Sequence, residues 1–181
     1  GSVAYWGDKR VLVTGASGMV GSWLTRWLAE SGAYTVAFIA DSDPQSELMR
    51  SGNLNKVNVV NGRLENYDDI ERAINNHEVD SIFHLGAQPI VGAADRAPRH
   101  TFESNIQGTW NLLDACRVLS PLVKRIVVAS SDKAYGTQPI LPYTEDMSMN
   151  GDHPYEVSKS CTDLISTTYA RTYGTPVTIP R

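Results

Sequence analysis

The sequence predicts a three-layer α/β fold: a doubly wound parallel sheet with strand order 3-2-1-4-5-6, covered by helices on both faces. Three observations predict it. Short apolar runs alternate with helix-patterned stretches along the whole of the 181 residues, with no hairpin signals between them. Parallel strands need such crossovers, and their right-handedness leaves few strand orders open. The first apolar run passes directly into three glycines, Gly15, Gly18 and Gly21, and the second ends on an acid, Asp41, 20 residues beyond Gly21. Strand, glycine turn, helix, strand and carboxylate in that order make half of a dinucleotide-binding unit.

Each element follows from its own residues. Val11, Leu12 and Val13 read as a strand buried on both faces, and residues 19–28 as a helix with Trp23, Leu24, Trp27 and Leu28 along one side. Residues 35–40 (TVAFIA) form the second buried strand. A short polar helix is expected near residues 44–51, then a strand at 56–60 that Gly62 ends. Residues 67–76 have helical spacing with Ile70, Ala73 and Ile74 facing inward, and residues 81–85 (SIFHL) are the fourth strand. A long helix is expected from about 101 to 119, its apolar side made by Phe102, Ile106, Trp110, Leu113, Ala115 and Cys116, until Pro121 stops it. Residues 125–129 (RIVVA), 152–173 and 176–179 complete the series as strand, helix and strand, after a long loop at 139–151 of the kind that tends to be functional.

Lacking a Cβ, Gly15 can take a tight turn, Gly18 lets backbone approach a pyrophosphate, and Gly21 lets the helix lie close on the sheet. The helix start then offers free N–H groups and a positive dipole end to the anion. The spacing G-x-x-G-x-x-G is one residue longer than G-x-G-x-x-G, and taken alone it also fits a plain turn, with Asp41 capping the loop Asp-Ser-Asp-Pro. The order of the surrounding elements favours the phosphate site. Asp41 would accept hydrogen bonds from an adenosine ribose and repel a 2′-phosphate, which points to NAD rather than NADP.

Composition excludes several classes. Hydrophobic residues are 41% and charged residues 20%, ordinary for a globular domain, and the length suits a single domain. Sixteen Lys and Arg against 20 Asp and Glu give a net charge of −4 without a basic cluster, which argues against a nucleic-acid surface. No apolar run approaches membrane-spanning length and no secretory signal is visible, so a cytoplasmic protein with no membrane partner is expected. Cys116 and Cys161 fall in predicted helices without metal-type spacing and read as reduced core thiols; His77, His84, His100 and His153 are scattered, so no metal is expected.

In sheets of this kind ligands lie outside the carboxyl ends of the strands. There the chain reads Leu85-Gly86-Ala87-Gln88 after strand four and Ser130-Ser131-Asp132-Lys133-Ala134-Tyr135-Gly136 after strand five, and Tyr155-Glu156-Val157-Ser158-Lys159 opens the last long helix. Tyr155 and Lys159, four apart, share a helix face. A lysine beside a phenol stabilises the phenolate, so Tyr155 is a candidate general base, although a Y-x-x-x-K alone more often means a core tyrosine and a solvated lysine.

Together these residues resemble the extended short-chain dehydrogenase/reductase family, the NAD-dependent epimerases and dehydratases of nucleotide sugars, whose cofactor domain is a Rossmann fold. The resemblance covers essentially the whole chain: residues 14–21, Asp41, 84–88, Asn105, 130–136, 155–159 and Arg181. It implies Tyr155 as catalytic base, Lys159 on the nicotinamide ribose and Ser131 on the reacting hydroxyl. It implies cofactor contacts from Gly15, Ser17, Gly18, Met19, Val20 and Asp41. Further contacts fall to Leu64, Leu85, Gly86, Ala87, Asn105, Tyr155 and Lys159. Within the family the closest likeness is to CDP-glucose 4,6-dehydratases, through Gly21-Ser22-Trp23-Leu24, residues 84–89, 98–105 and Ser131-Asp132-Lys133. Such dehydratases place an acid and a base directly after the catalytic hydroxyl residue, here Asp132 and Lys133.

The sequence departs from the family at Arg63, where an aspartate near the adenine is usual, and at Gly86, where alanine is usual. It also stops at Arg181, so residues 1–181 are expected to be the NAD-binding domain without the C-terminal domain that grips the nucleotide half of the substrate. Two rivals stand beside the dehydratase: a nucleotide-sugar 4-epimerase, which needs no base at C5, and a catalytically silent dinucleotide-binding module. The other reading of Asp132 and Lys133 is a tight turn after strand five, since Asp and Lys are ordinary turn residues. Family members often pair through two helices, here about 101–119 and 152–173, and Ala115, Leu119, Thr162, Ser166 and Tyr169 are expected to form an outward stripe for a homodimer.

Overall fold

Strands β1 (Arg10–Thr14), β2 (Tyr34–Ile39), β3 (Val57–Asn61), β4 (Ser81–His84), β5 (Arg125–Val128) and β6 (Val177–Thr178) pair in parallel in the order β3-β2-β1-β4-β5-β6, as the sequence predicts. The computed structural model describes residues 2–40, 56–85, 99, 103–129 and 154–180. The helices among them are α1 (Ser2–Trp6), α2 (Met19–Glu30), α3 (Tyr67–Asn76), α4 (Gly108–Val118) and α5 (Pro154–Tyr173). None of these is long and apolar enough to cross a membrane. The polar helix expected near 44–51 lies outside the described residues.

The alternation along β1 sorts the core. Leu12 faces the side of α3 and α4, where it joins Val36, Ile82, Ile126, Ile70, Ile74, Leu112 and Leu113. Val11 and Val13 face the side of α2, with Ala37, Ile39, Val57 and Leu28. Asn66 starts α3 by accepting the N–H groups of Asp68 and Asp69, satisfying donors that the helix itself leaves open.

Three expectations are corrected. Trp23 is not on the buried side of α2 but 56% exposed, stacked on Trp27. The buried residues of α2 are Gly21, Ser22, Thr25 and Leu28, because small side chains let the helix lie close to the sheet and push the bulky ones to its flank. The expected 101–119 helix is not uniform: a wide π-helical turn at Glu103–Gln107 precedes α4, and Leu112 is buried where Trp110 turns toward solvent. The stripe expected on the outside of α4 and α5 is largely interior, since Ala115, Thr162 and Ser166 are buried where the two helices pack. Cys116 is a core thiol whose pKa burial pushes up, whereas Cys161 is only half-buried.

Two local features fix the carboxyl end of the sheet. Gly15 takes φ +68°, and its carbonyl accepts the Gly18 N–H at 3.2 Å. A Cβ on Gly21 would collide with the Gly15 carbonyl, its carbon only 2.7 Å away. The second feature is a buried polar chain. Leu85 N–H donates to Thr14 Oγ1 (3.1 Å), Thr14 Oγ1 meets His84 Nδ1 (2.7 Å), His84 Nε2 meets Thr109 Oγ1 (3.0 Å), and the Thr109 hydroxyl donates to the Asn105 carbonyl (2.6 Å). Burial pushes the His84 pKa down to about 4.

Gly21→Ala is expected to cost about 3 kcal/mol of stability, as overpacking against rigid backbone does, read as a lower urea midpoint. The pH dependence has a definite sign. Unfolded His84 takes up a proton below about 6.5, the folded residue only near 4, so stability falls as pH drops through that window. The loss is at most about 1.4 kcal/mol per pH unit for this one group. Stability measured between those pH values should show this slope, flattened in His84→Asn.

Candidate functional site

The carboxyl ends of the strands are level because the register pairs Thr14 with Phe38 and His84, and His84 with Val128. At this end β1 turns through Gly15, Ala16, Ser17 and Gly18 into Met19 and Val20, the first residues of α2. Gly18 is the residue before the helix, in extended conformation (φ −75°, ψ 174°), and makes no side-chain cap bond. Its backbone suits any residue, and among the described residues a Cβ there would meet only the Gly15 oxygen, at an ordinary 3.5 Å. Among the described residues, neither conformation nor packing explains the missing side chain. What it leaves clear is the approach to the first N–H groups of α2, where a pyrophosphate would sit. The residues present thus fit the phosphates of a dinucleotide, and Met19, 70% exposed, flanks that approach.

Three other predicted contacts gather at the same end. Leu85 follows β4 and is buried, its N–H held by Thr14. Asn105 is buried in the wide turn before α4. Leu64, in the loop after β3, is gripped by the start of α4: Asn111 Nδ2 donates to the Leu64 carbonyl at 2.9 Å, and Gln107 Nε2 to the Glu65 carbonyl at 3.3 Å. A Cβ on Gly108 would stand 2.8 Å from the Leu64 Cβ, so glycine there is what lets the loop and helix meet. Arg63 directs its guanidinium to Glu65 (Nε to Oε2, 3.1 Å), and its N–H donates to Asp69 Oδ2 at 3.0 Å.

Tyr155 and Lys159 both lie in the first two turns of α5, with Lys159 half-buried and its carbonyl accepting the Thr162 hydroxyl at 2.8 Å. Asp41, Gly86, Ala87, Ser131, Asp132 and Lys133 lie outside the described residues. The last described residue before Ser130 is Ala129, whose N–H donates to the His84 carbonyl at 3.0 Å. Sequence reasoning missed the part taken by His84 and Thr109. The available signal was a histidine in an otherwise apolar buried strand, since a buried imidazole must find partners.

Comparison with known proteins agrees with this geometry. Residues 12–181 match the family described as GDP-mannose 4,6 dehydratase. CDP-glucose 4,6-dehydratase of Salmonella typhimurium is 30% identical over 174 residues, covering 95% of this chain and 48% of that protein. The UDP-glucose 4-epimerase of Thermotoga maritima, solved with UDP-glucose, superposes with a TM-score of 0.74 at 25% identity, over 94% of this chain and 54% of that one. The UDP-glucose 4-epimerase of Brucella ovis, in complex with NAD, gives 0.74 at 25% identity, over 95% and 51%. The chain spans about half the length of the curated relatives it matches. It belongs to the extended short-chain dehydrogenase/reductase family of NAD-dependent nucleotide-sugar epimerases and dehydratases.

Proposed function

We propose that this chain is the NAD-binding, catalytic half of a nucleotide-sugar 4,6-dehydratase that acts on CDP-glucose or a close relative. The observation that carries the reading is Ser131-Asp132-Lys133, an acid and a base directly after the hydroxyl residue in the sequence that follows β5. The 30% identity with a CDP-glucose 4,6-dehydratase supports it. Substrate choice is a proposal for a longer protein as much as for these 181 residues.

NAD, when bound, supplies hydride transfer from C4 of the sugar and its later return at C6. The residues supply the protons. Ser131 holds the 4-hydroxyl, and Tyr155 takes its proton as a phenolate favoured by the Lys159 charge one helical turn on. Lys159 also holds the ribose hydroxyls of the nicotinamide. A carbonyl at C4 acidifies the proton at C5; Lys133 removes that proton and Asp132 protonates the departing 6-hydroxyl, which leaves as water, and Lys133 then returns a solvent-exchangeable proton to C5 as hydride reaches C6. A lysine serves as base where its surroundings lower its pKa. Gly15, Ser17, Gly18, Met19 and Val20 would cradle the pyrophosphate, Asp41 the adenosine ribose, and Leu64, Leu85, Gly86, Ala87 and Asn105 the remaining cofactor surface. As a homodimer, the protein would pair through α4 and α5, where Trp110 and Leu164 are exposed.

A 4-epimerase remains the second reading, because solved epimerases share this fold at 25% identity. The reaction run in heavy water with CDP-glucose separates them. A dehydratase puts deuterium at C5 with loss of water, both suppressed in Lys133→Ala; an unlabelled 4-epimer, with Lys133→Ala still active, overturns the roles given to Asp132 and Lys133. Titration with both cofactors should show NAD binding about tenfold or more tighter than NADP, and equal affinity would remove Asp41 from the ribose.

A further inference from the structure

We propose that His84 is a positioning residue for the cofactor site: a neutral imidazole, protonated on Nε2, that fixes the spacing between the glycine turn after β1 and the wide turn holding Asn105. The inference rests on reading those two segments as cofactor-binding. It stands on the direction of four hydrogen bonds.

The Thr109 hydroxyl has one proton, and at 2.6 Å it goes to the Asn105 carbonyl. Toward His84, at 3.0 Å, Thr109 Oγ1 is therefore an acceptor, and Nε2 carries the hydrogen. In a neutral ring Nδ1 then holds a lone pair, which accepts the Thr14 hydroxyl proton at 2.7 Å. Thr14 Oγ1 in turn accepts the Leu85 N–H at 3.1 Å. Each of these four bonds then has one hydrogen and one acceptor. A second proton on the ring would turn the Nδ1 contact round, with Nδ1–H donating to Thr14 Oγ1, so the Thr14 hydroxyl would no longer donate to His84.

The ends of this chain are what give it a role. Thr14 is the last residue of β1 and adjoins Gly15, where the backbone turns into the phosphate cradle. Thr109 bonds the carbonyl four residues back, a contact that bends helices, where the wide turn Glu103–Gln107 passes into α4. His84 spans the two. Packing alone does not require it, because Leu12, Ile82 and Ile126 on the same sheet face are apolar and fully buried. A buried polar chain with every member satisfied adds less to stability than to uniqueness of position, and a ligand touching both ends would sense that position.

The test is titration of the chain with NAD, alongside thermal melts, for Thr109→Val and Thr109→Ser, with nitrogen NMR of the His84 ring. Thr109→Val keeps the shape and loses the acceptor; it should weaken NAD binding about five- to tenfold, and Thr109→Ser should restore it to within about twofold of the original. In the unsubstituted chain at neutral pH, the His84 ring should carry its hydrogen on Nε2, a measurement that needs no variant to fold. NAD affinity unchanged in Thr109→Val, whatever its melting temperature, overturns the positioning role, as does a ring protonated on Nδ1. Failure of the unsubstituted chain to bind NAD overturns the cofactor reading and this role with it, whereas unchanged affinity in Thr109→Val overturns the role alone.

Discussion

The carbonyl of Gly15 and the bare Cα of Gly21 are in contact, and the site depends on that closeness. It lets α2 lie on β1 with only Gly21, Ser22, Thr25 and Leu28 between them, and so delivers the start of the helix to the carboxyl end of the central strand. Parallel pairing in level register brings the ends of β2, β4 and β5 to the same edge. A concave edge where several strand ends, a helix start and two loops converge is where α/β sheets of this type bind ligands. One side chain at residue 21 would separate the helix from the strand and spread that edge apart.

The sheet was legible because its signals are local and redundant. Each strand is a short β-branched or aromatic run, each crossover has helical spacing, and strand order follows from handedness without any contact being known. What was not legible depends on which side of a helix finds a partner. Trp23 and Leu28 are both apolar, yet only Leu28 is buried, since the tight approach of α2 at Gly21, Ser22 and Thr25 leaves the Trp23 indole on the flank. Spacing alone does not say whether Ala115, Thr162 and Ser166 face outward or inward, and small residues suit the close packing of two helices, where they are buried. The wide turn at Glu103–Gln107 leaves no trace in periodicity, as it shifts phase for a single turn.

The candidate site divides in the same way. Its phosphate half follows from glycine spacing, and the fold supplies the geometry that makes Gly18 intelligible, a missing side chain that packing among the described residues does not demand. The loop after β3 shows the limit of motif reading. An arginine stands where the family has an aspartate, but Arg63 is turned onto Glu65 and its side chain is 66% exposed. An exposed pair of this kind contributes little and breaks easily, so it does not by itself give the adenosine end a fixed positive charge. Leu64 beside it is held from behind by Gly108 and Asn111, and such support is not visible in a local motif.

Dehydratases and epimerases appear together among the similar proteins for a chemical reason. Both reactions begin by oxidising C4, so both need the same cradle, the same tyrosine and lysine, and the same hydroxyl to hold the sugar. They separate only afterwards, when one removes the C5 proton and expels the 6-hydroxyl while the other returns hydride to C4 from the opposite face. Fold similarity reports the shared first half and is silent on the second. The second half turns on whether a base reaches C5, the role proposed for Lys133 with Asp132 as its acid. Asp132 and Lys133 therefore weigh more in choosing between the activities than any measure of overall resemblance, and Lys133 is the residue on which the dehydratase reading stands.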